Sequence, residues 1–259
     1  MTKATPSVMV VIPARYGSSR FPGKPLVMLG RKPMIQHVYE QAAACRMVTE
    51  VLVATDDERI KQAVEGFNGR AVMIAGDYRT GTDRVAGVAR MFGGDYFVNL
   101  QGDEIPLQPE LLADLIDPFI KSSTGMGTLK RTIDSTEDVH NPSVVKVVTD
   151  HFGNAIYFSR APIPLVRDDA SRRAVGGLHY IHLGLYMFRR DTLLSWRPFP
   201  PDGWRMRKSS SSCARWSMAF RSESGKPHMP PCGWIRRKMS SRWQNSSNSV
   251  TSSSGSWAR

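Results

Sequence analysis

Apolar positions over the first two hundred residues fall into short continuous runs that alternate with stretches at helical spacing. Val8–Ile12 is an apolar run ending at Pro13, Gly17, Ser18 and Ser19, the pattern of a buried strand that feeds a loop. Met34, Ile35, Val38, Ala42 and Cys45 recur at helical spacing, which predicts a helix over Pro33–Cys45 with Pro33 at its first position. Val51–Thr55 predicts a second strand ending in Asp56 and Asp57, followed by a helix to about Glu65. One of these acids is expected to cap that helix and the other to be solvated, although strand-end acids also suit a ribose or a metal. Ala71–Ala75 predicts a third strand. Val85, Val88, Ala89 and Phe92 stand at i, i+3, i+4 and i+7 of a helix, with Thr82 or Asp83 as its N-cap. Tyr96–Leu100 reads as a fourth strand running into Gln101–Glu104. Gly127–Thr132 and His182–Arg189 read as further strands, and Val144–Thr149 with Ala155–Ser159 as a hairpin. Strands alternating with helices imply an α/β fold with a mainly parallel sheet, and the hairpins between about 125 and 190 suggest a smaller lobe.

The chain of 259 residues is long enough for a sizeable core. Met1–Ser7 lacks the basic and apolar regions of a signal peptide, and no apolar stretch reaches bilayer-spanning length, so the expectation is a cytoplasmic protein with no membrane partner. Cys45, Cys213 and Cys232 have neither metal-ligand spacing nor a disulfide pattern. The net charge of +12 suggests nucleic acid, but residues 203–259 carry 11 Lys/Arg against the single acid Glu223. The body, 1–202, is nearly neutral.

The first loop carries the clearest chemistry. Arg15, Arg20 and Lys24 stand among small residues whose backbone amides can approach an anion, just beyond the carboxyl end of a strand, where open α/β sheets bind ligands. Pro25 follows Lys24, so this is not a Walker loop, which needs Ser or Thr there. Asp103, at the tip of another strand, is placed to hold Mg²⁺ through oxygen, although in isolation Asp103 and Glu104 also read as an ordinary acid pair in a turn.

The string R-Y-G-S-S-R-F-P-G-K-P-L, with V-N-L-Q-G-D-E and T-G-T-D-R, resembles the sugar-activating nucleotidyltransferases, most closely the 3-deoxy-manno-octulosonate (Kdo) cytidylyltransferase family, over about residues 8–201. The resemblance implies a Rossmann-like nucleotidyltransferase fold, a mixed sheet with helices on both faces and a small β-rich lobe that supports a homodimer. It implies transfer of CMP from CTP to Kdo for lipopolysaccharide synthesis, with Mg²⁺ on Asp103. Ala14, Arg15, Ser18, Lys24, Thr80, Arg84 and Gln101 would line the nucleotide site. Gln101, Arg160, His182 and Tyr186 would bind the sugar acid; spacing alone makes His182 a satisfied strand histidine and Tyr186 a core aromatic. Ile105 stands where the family usually has Pro. Rival readings are a relative that activates sialic acid or a sugar phosphate, an inactive remnant that binds nucleotide, and a nucleic-acid binder acting through the basic tail.

Beyond about Asp202 the pattern stops. Residues 203–259 hold 16 Ser and five of the six Trp, without helical or strand periodicity. Reading codons from their third base, Trp234–Ile235 forces an Asp codon, and the same shift permits V-D-T-P-E-D around it and an amphipathic helix over Gly203–Phe220. Both resemble the family's C-terminal part, in which that Asp is a second Mg²⁺ ligand. The expectation is therefore a one-nucleotide frame slip near Pro201 and a non-native, largely disordered tail over 203–259.

Overall fold

The computed structural model describes residues 5–17, 21–76, 78, 80–103, 108–166 and 178–195, together with the backbone of Cys232–Arg236. A sheet of nine strands forms the framework. Its centre is β1, Val8–Ala14, flanked in parallel by β4, Glu50–Thr55, and β6, Tyr96–Asn99. The short β5, Ala71–Met73, extends the sheet beyond β4. On the other side, β10, Tyr180–Arg189, runs antiparallel to both β6 and β7, Met126–Thr132. A separate two-stranded ribbon, β2 (Met28–Leu29) and β3 (Lys32–Pro33), follows the first loop.

Strand β1 is buried on both faces, so its alternating side chains feed two cores. Val8, Val10, Ile12 and Ala14 meet α1 (Met34–Ala43), α2 (Glu58–Gly66) and α4 (Pro109–Lys121). Met9 and Val11 belong to the opposite core, with α3 (Gly81–Met91) and α6 (Arg190–Leu194). Helices therefore cover both faces, as expected. Helix α4 was not anticipated, although Leu112, Leu115, Ile116 and Phe119 are its buried stripe at helical spacing.

Local chemistry sets the helix ends. Pro33 is the N-cap of α1 rather than its first residue. Asp57 caps α2 by accepting from Arg59 N at 3.0 Å, as one of the paired acids was expected to do. The other acid, Asp56, is not merely solvated, because it binds Arg84 at 2.5 Å. For α3 the N-cap is Thr80, not Thr82 or Asp83. Its hydroxyl accepts from Asp83 N while Asp83, at the third helical position, bonds back, a reciprocal arrangement open only to Thr80.

The expected small lobe is reduced by the topology, because β7 and β10 belong to the main sheet. What stands off is α5 (Thr136–His140) and the hairpin of β8 (Lys146–Thr149) and β9 (Ala155–Ser159), attached through the pairing of β8 with β10. Asp150–Asn154 closes this hairpin as predicted, with Asp150 accepting from Asn154 N at 2.7 Å. Within 203–259 the described part is β11, Cys232–Arg236, which pairs in parallel with Met126–Lys130 at the sheet edge. A strand there was not expected; the other residues of that stretch lie outside the described ones.

Candidate active site

The site lies at the carboxyl ends of β1 and β6. Ligands of open α/β folds are usually bound just beyond the carboxyl ends of the strands. Ala14 is buried at the end of β1, and Arg15 reaches across to donate to the carbonyl of Tyr78. The loop closes on itself where Gly23 N donates to Tyr16 O at 2.8 Å. Gly23 is required twice over. Its φ of 72° lies in the left-handed region, and a Cβ would stand 3.1 Å from the Tyr16 ring. The guanidinium of Arg59 covers the same ring at 3.3 Å, so the loop is braced from α2.

Lys24 opens a short 3-10 turn, Lys24–Leu26, and its Nζ lies 2.5 Å from Asp103 Oδ2. Both side chains are about half exposed, so the pair is open to solvent and to a ligand. The lysine expected at the phosphates and the expected metal carboxylate thus converge from two different strand ends. Ser18, Ser19, Arg20 and Glu104 lie outside the described residues.

Gln101 is held by a relay that sequence reasoning missed. Its Nε2 donates to Asn99 Oδ1 at 2.9 Å, and Asn99 Nδ2 donates to Thr82 Oγ1 at 3.1 Å. Asn99 is buried, so its amide is fixed rather than solvated. A Cβ on Gly81, the first residue of α3, would lie 2.9 Å from Gln101 Nε2 and would push that amide aside. A buried Asn at the end of an apolar strand, two residues before Gln101, is the signal that could have found this relay.

Thr80 and Arg84, expected beside the nucleotide, both make structural contacts. The Thr80 hydroxyl caps α3, donating to Asp83 Oδ2 at 2.7 Å. Arg84 is 1% exposed, ion-paired to Asp56 and set 5.5 Å from the Tyr78 ring, so its guanidinium braces the same segment that receives Arg15.

On the far side of β6, Tyr186 is in register with Asn99. A bulge between Leu183 and Tyr186 separates it from His182, whose ring contacts Tyr186 at 5.3 Å and Phe158 at 4.8 Å. Thr128 Oγ1 donates to the Leu183 carbonyl and so must accept from His182 Nε2, 3.2 Å away, which puts the imidazole proton on Nε2. Burial holds the His182 pKa down at about 3, so the ring is neutral at physiological pH. His182 and Tyr186 are thus together, but both are nearly enclosed. Arg160 stands just past β9, exposed, with Nη1 on the carbonyls of Pro142 at 2.6 Å and Ser143 at 3.4 Å.

Known proteins resemble the chain in sequence and in fold. The chain is 48% identical over 202 residues to the 3-deoxy-manno-octulosonate cytidylyltransferase of Geobacter sulfurreducens, covering 75% of this chain and 81% of that one. It is 45% identical over 197 residues to the protein of that name from Acaryochloris marina, covering 75% and 78%. Among solved structures, a CMP:2-keto-3-deoxy-manno-octonic acid synthetase complexed with CTP shares 42% identity over 77% of this chain and 81% of that chain, with a TM-score of 0.70. A glucose-1-phosphate thymidylyltransferase of Bacillus anthracis, at 18% identity and a TM-score of 0.51, shares the fold alone. The family model for cytidylyltransferases matches residues 9–198, which takes in both strand ends and the hairpin, and with the closeness of these relatives it places the chain in the cytidylyltransferase family.

Proposed function

We propose that this protein transfers CMP from CTP to the anomeric hydroxyl of 3-deoxy-D-manno-octulosonate, releasing diphosphate. The observation that carries the reading is the convergence of Lys24 and Asp103 at the ends of β1 and β6, in a chain close to relatives named for this reaction. Transfer at phosphorus needs positioning and charge neutralisation more than covalent chemistry. Lys24 and Arg15 bind the triphosphate and hold charge on the departing diphosphate. Gln101, fixed through Asn99, orients the reacting groups, and Arg160 grips the acceptor carboxylate. Neutral His182 presents no charge that would compete for that carboxylate; with Tyr186 it shapes the acceptor pocket.

Among the described residues no group of three or more His, Cys, Asp or Glu side chains comes together. A single half-exposed carboxylate beside a phosphate loop fits Mg²⁺ that keeps several waters and arrives with the nucleotide. Held by Asp103, Mg²⁺ would neutralise phosphate charge and lower the pKa of the sugar hydroxyl. With Asp103 on the ion, Lys24 would be free to turn to the phosphates.

The reading includes a homodimer and action in the cytoplasm, where the nucleotide is made. Phe152, Ile156 and Leu165 are exposed large apolar residues on and just after the β8–β9 hairpin, a surface suited to a second copy. Light scattering at assay concentration should give twice the chain mass. Phe152→Asp with Ile156→Asp should give monomers, and an unsubstituted monomer would refute the dimer. For the reaction, diphosphate release is measured with CTP and Kdo, sialic acid or a sugar phosphate, using the chain as written and one rebuilt over 203–259 in the shifted frame. Turnover with Kdo supports the proposal. Preference for another acceptor overturns the substrate, and CTP binding without turnover in both forms overturns catalysis.

A further inference from the structure

Lys146, the first residue of β8, is a fully buried cation, and burying an ammonium is costly unless its protons are satisfied. Its Nζ donates to the carbonyls of Asn141 and Val144, each at 2.8 Å, and to that of Arg160 at 2.5 Å. Between the first two lie the carbonyls of Pro142 and Ser143, which accept from the Arg160 side chain. Four consecutive carbonyls of one turn thus point at two cations, and one cation also holds the other's backbone. The next carbonyl, of Val145, accepts from His182 N at 2.8 Å. In the sheet, Lys146 pairs with Ile181 on one side and Ser159 on the other, so it sits between the strand that carries His182 and the one that leads to Arg160.

We propose that Lys146 is a positioning residue for the acceptor's carboxylate. It pins the Asn141–Val144 turn into a row of carbonyls on which Arg160 rests, and it pins the Arg160 peptide itself. An incoming carboxylate takes the guanidinium from two neutral carbonyls, a weaker set of partners than a charged, bidentate one, so release needs no break in the fold. Lys146 keeps the turn and the backbone in place when the side chain lifts. This rests on the proposed sugar-acid reaction for the role of Arg160; the anchoring of the turn stands on the contacts alone.

The test compares the full chain with Lys146→Met, Arg160→Ala and the double variant. Diphosphate release is followed against Kdo and CTP in turn, and hydrogen exchange is followed over 141–146 and 159–161. Lys146→Met should raise KM for Kdo about tenfold, leave KM for CTP within about twofold, and speed exchange in those two segments. In the Arg160→Ala background it should change KM for Kdo no more than about twofold, because the two act on one step. Equal effects on both substrates, or additive effects in the double variant, overturn the proposal and leave Lys146 a general structural residue. If neither the unsubstituted chain nor the one rebuilt over 203–259 shows turnover with Kdo, the functional reading fails and the inference is judged on exchange. Faster exchange confined to the two segments then supports the anchoring, and unchanged or uniformly faster exchange overturns it.

Discussion

His182 should make the protein measurably less stable in mild acid. Its ring is 8% exposed, packed against Phe158 and Tyr186, and its pKa falls from an unfolded value of 6.5 to about 3 because burial disfavours the charged form. A folded pKa below the unfolded one means that the unfolded chain takes up a proton the folded chain refuses. The stability this group contributes is therefore complete above about pH 6.5 and is lost as pH falls toward 3, at up to about 1.4 kcal/mol per pH unit. Between pH 7 and pH 5 the loss is about 2 kcal/mol. With a urea slope near 2 kcal/mol/M, the midpoint should move down by roughly 1 M. His182→Gln keeps a donor for Thr128 and removes the titration, so its midpoint should move less by that amount, the other histidines cancelling in the comparison. Equal pH dependence of the two proteins would show that the imidazole is solvated or paired when charged, and would remove the reason for treating it as neutral in the acceptor pocket.

Asp103→Asn should lower turnover with CTP and Kdo by about a hundredfold or more, yet bind CTP at least as tightly as the unsubstituted chain in EDTA, because Lys24 loses its competing partner. Calorimetry with and without Mg²⁺ would separate the two effects, and weaker binding in EDTA would count against the shared role of the pair. Gly81→Ala places a methyl 2.9 Å from Gln101 Nε2 and should cost about tenfold in kcat/KM. Its melting temperature should hold or rise slightly, since Ala favours the helix; an unchanged kcat/KM would show that the Gln101 amide need not stay on Asn99.

The parts of the fold that rest on local signals were legible. Val8–Ile12 could only be a buried strand, and the 150–154 turn between two β-rich runs could only be a hairpin. Helix α4 was equally legible, since Leu112, Leu115, Ile116 and Phe119 follow Pro109 at the right spacing. The α3 cap was not, because Thr80, Thr82 and Asp83 all qualify until the bond between Thr80 and Asp83 selects one. Lys24 and Asp103 were found as chemistry, but their convergence depends on which strands become neighbours. Lys146, and Asn99 apart from its place two residues before Gln101, were not legible as fixed donors for the same reason. Each is an ordinary polar residue in a strand sequence, and only burial turns it into a fixed donor. Arg84 was picked from its surrounding motif, and its ion pair with Asp56, which depends on packing, could not be read there.

The edge strand β11 bears on the expected second metal ligand. Backbone pairing with an open edge asks little of side-chain identity, which explains how a stretch without strand periodicity can occupy it. The register sets Trp234 level with Thr128, and through β10 with Tyr186 and Asn99. Three strand intervals of roughly 4.8 Å each put position 234 about 14 Å from Asn99. Asp103 leans the other way, toward Lys24 from the β1 loop. In this register backbone position 234 thus stands three strands away from the strand that leads to Asp103. Trp234→Asp alone should leave Mg²⁺-dependent turnover within about twofold of the chain as written, whereas rebuilding 203–259 in the shifted frame can restore it only by seating that segment nearer to β6. Full recovery by the single substitution would show that this register does not hold in solution.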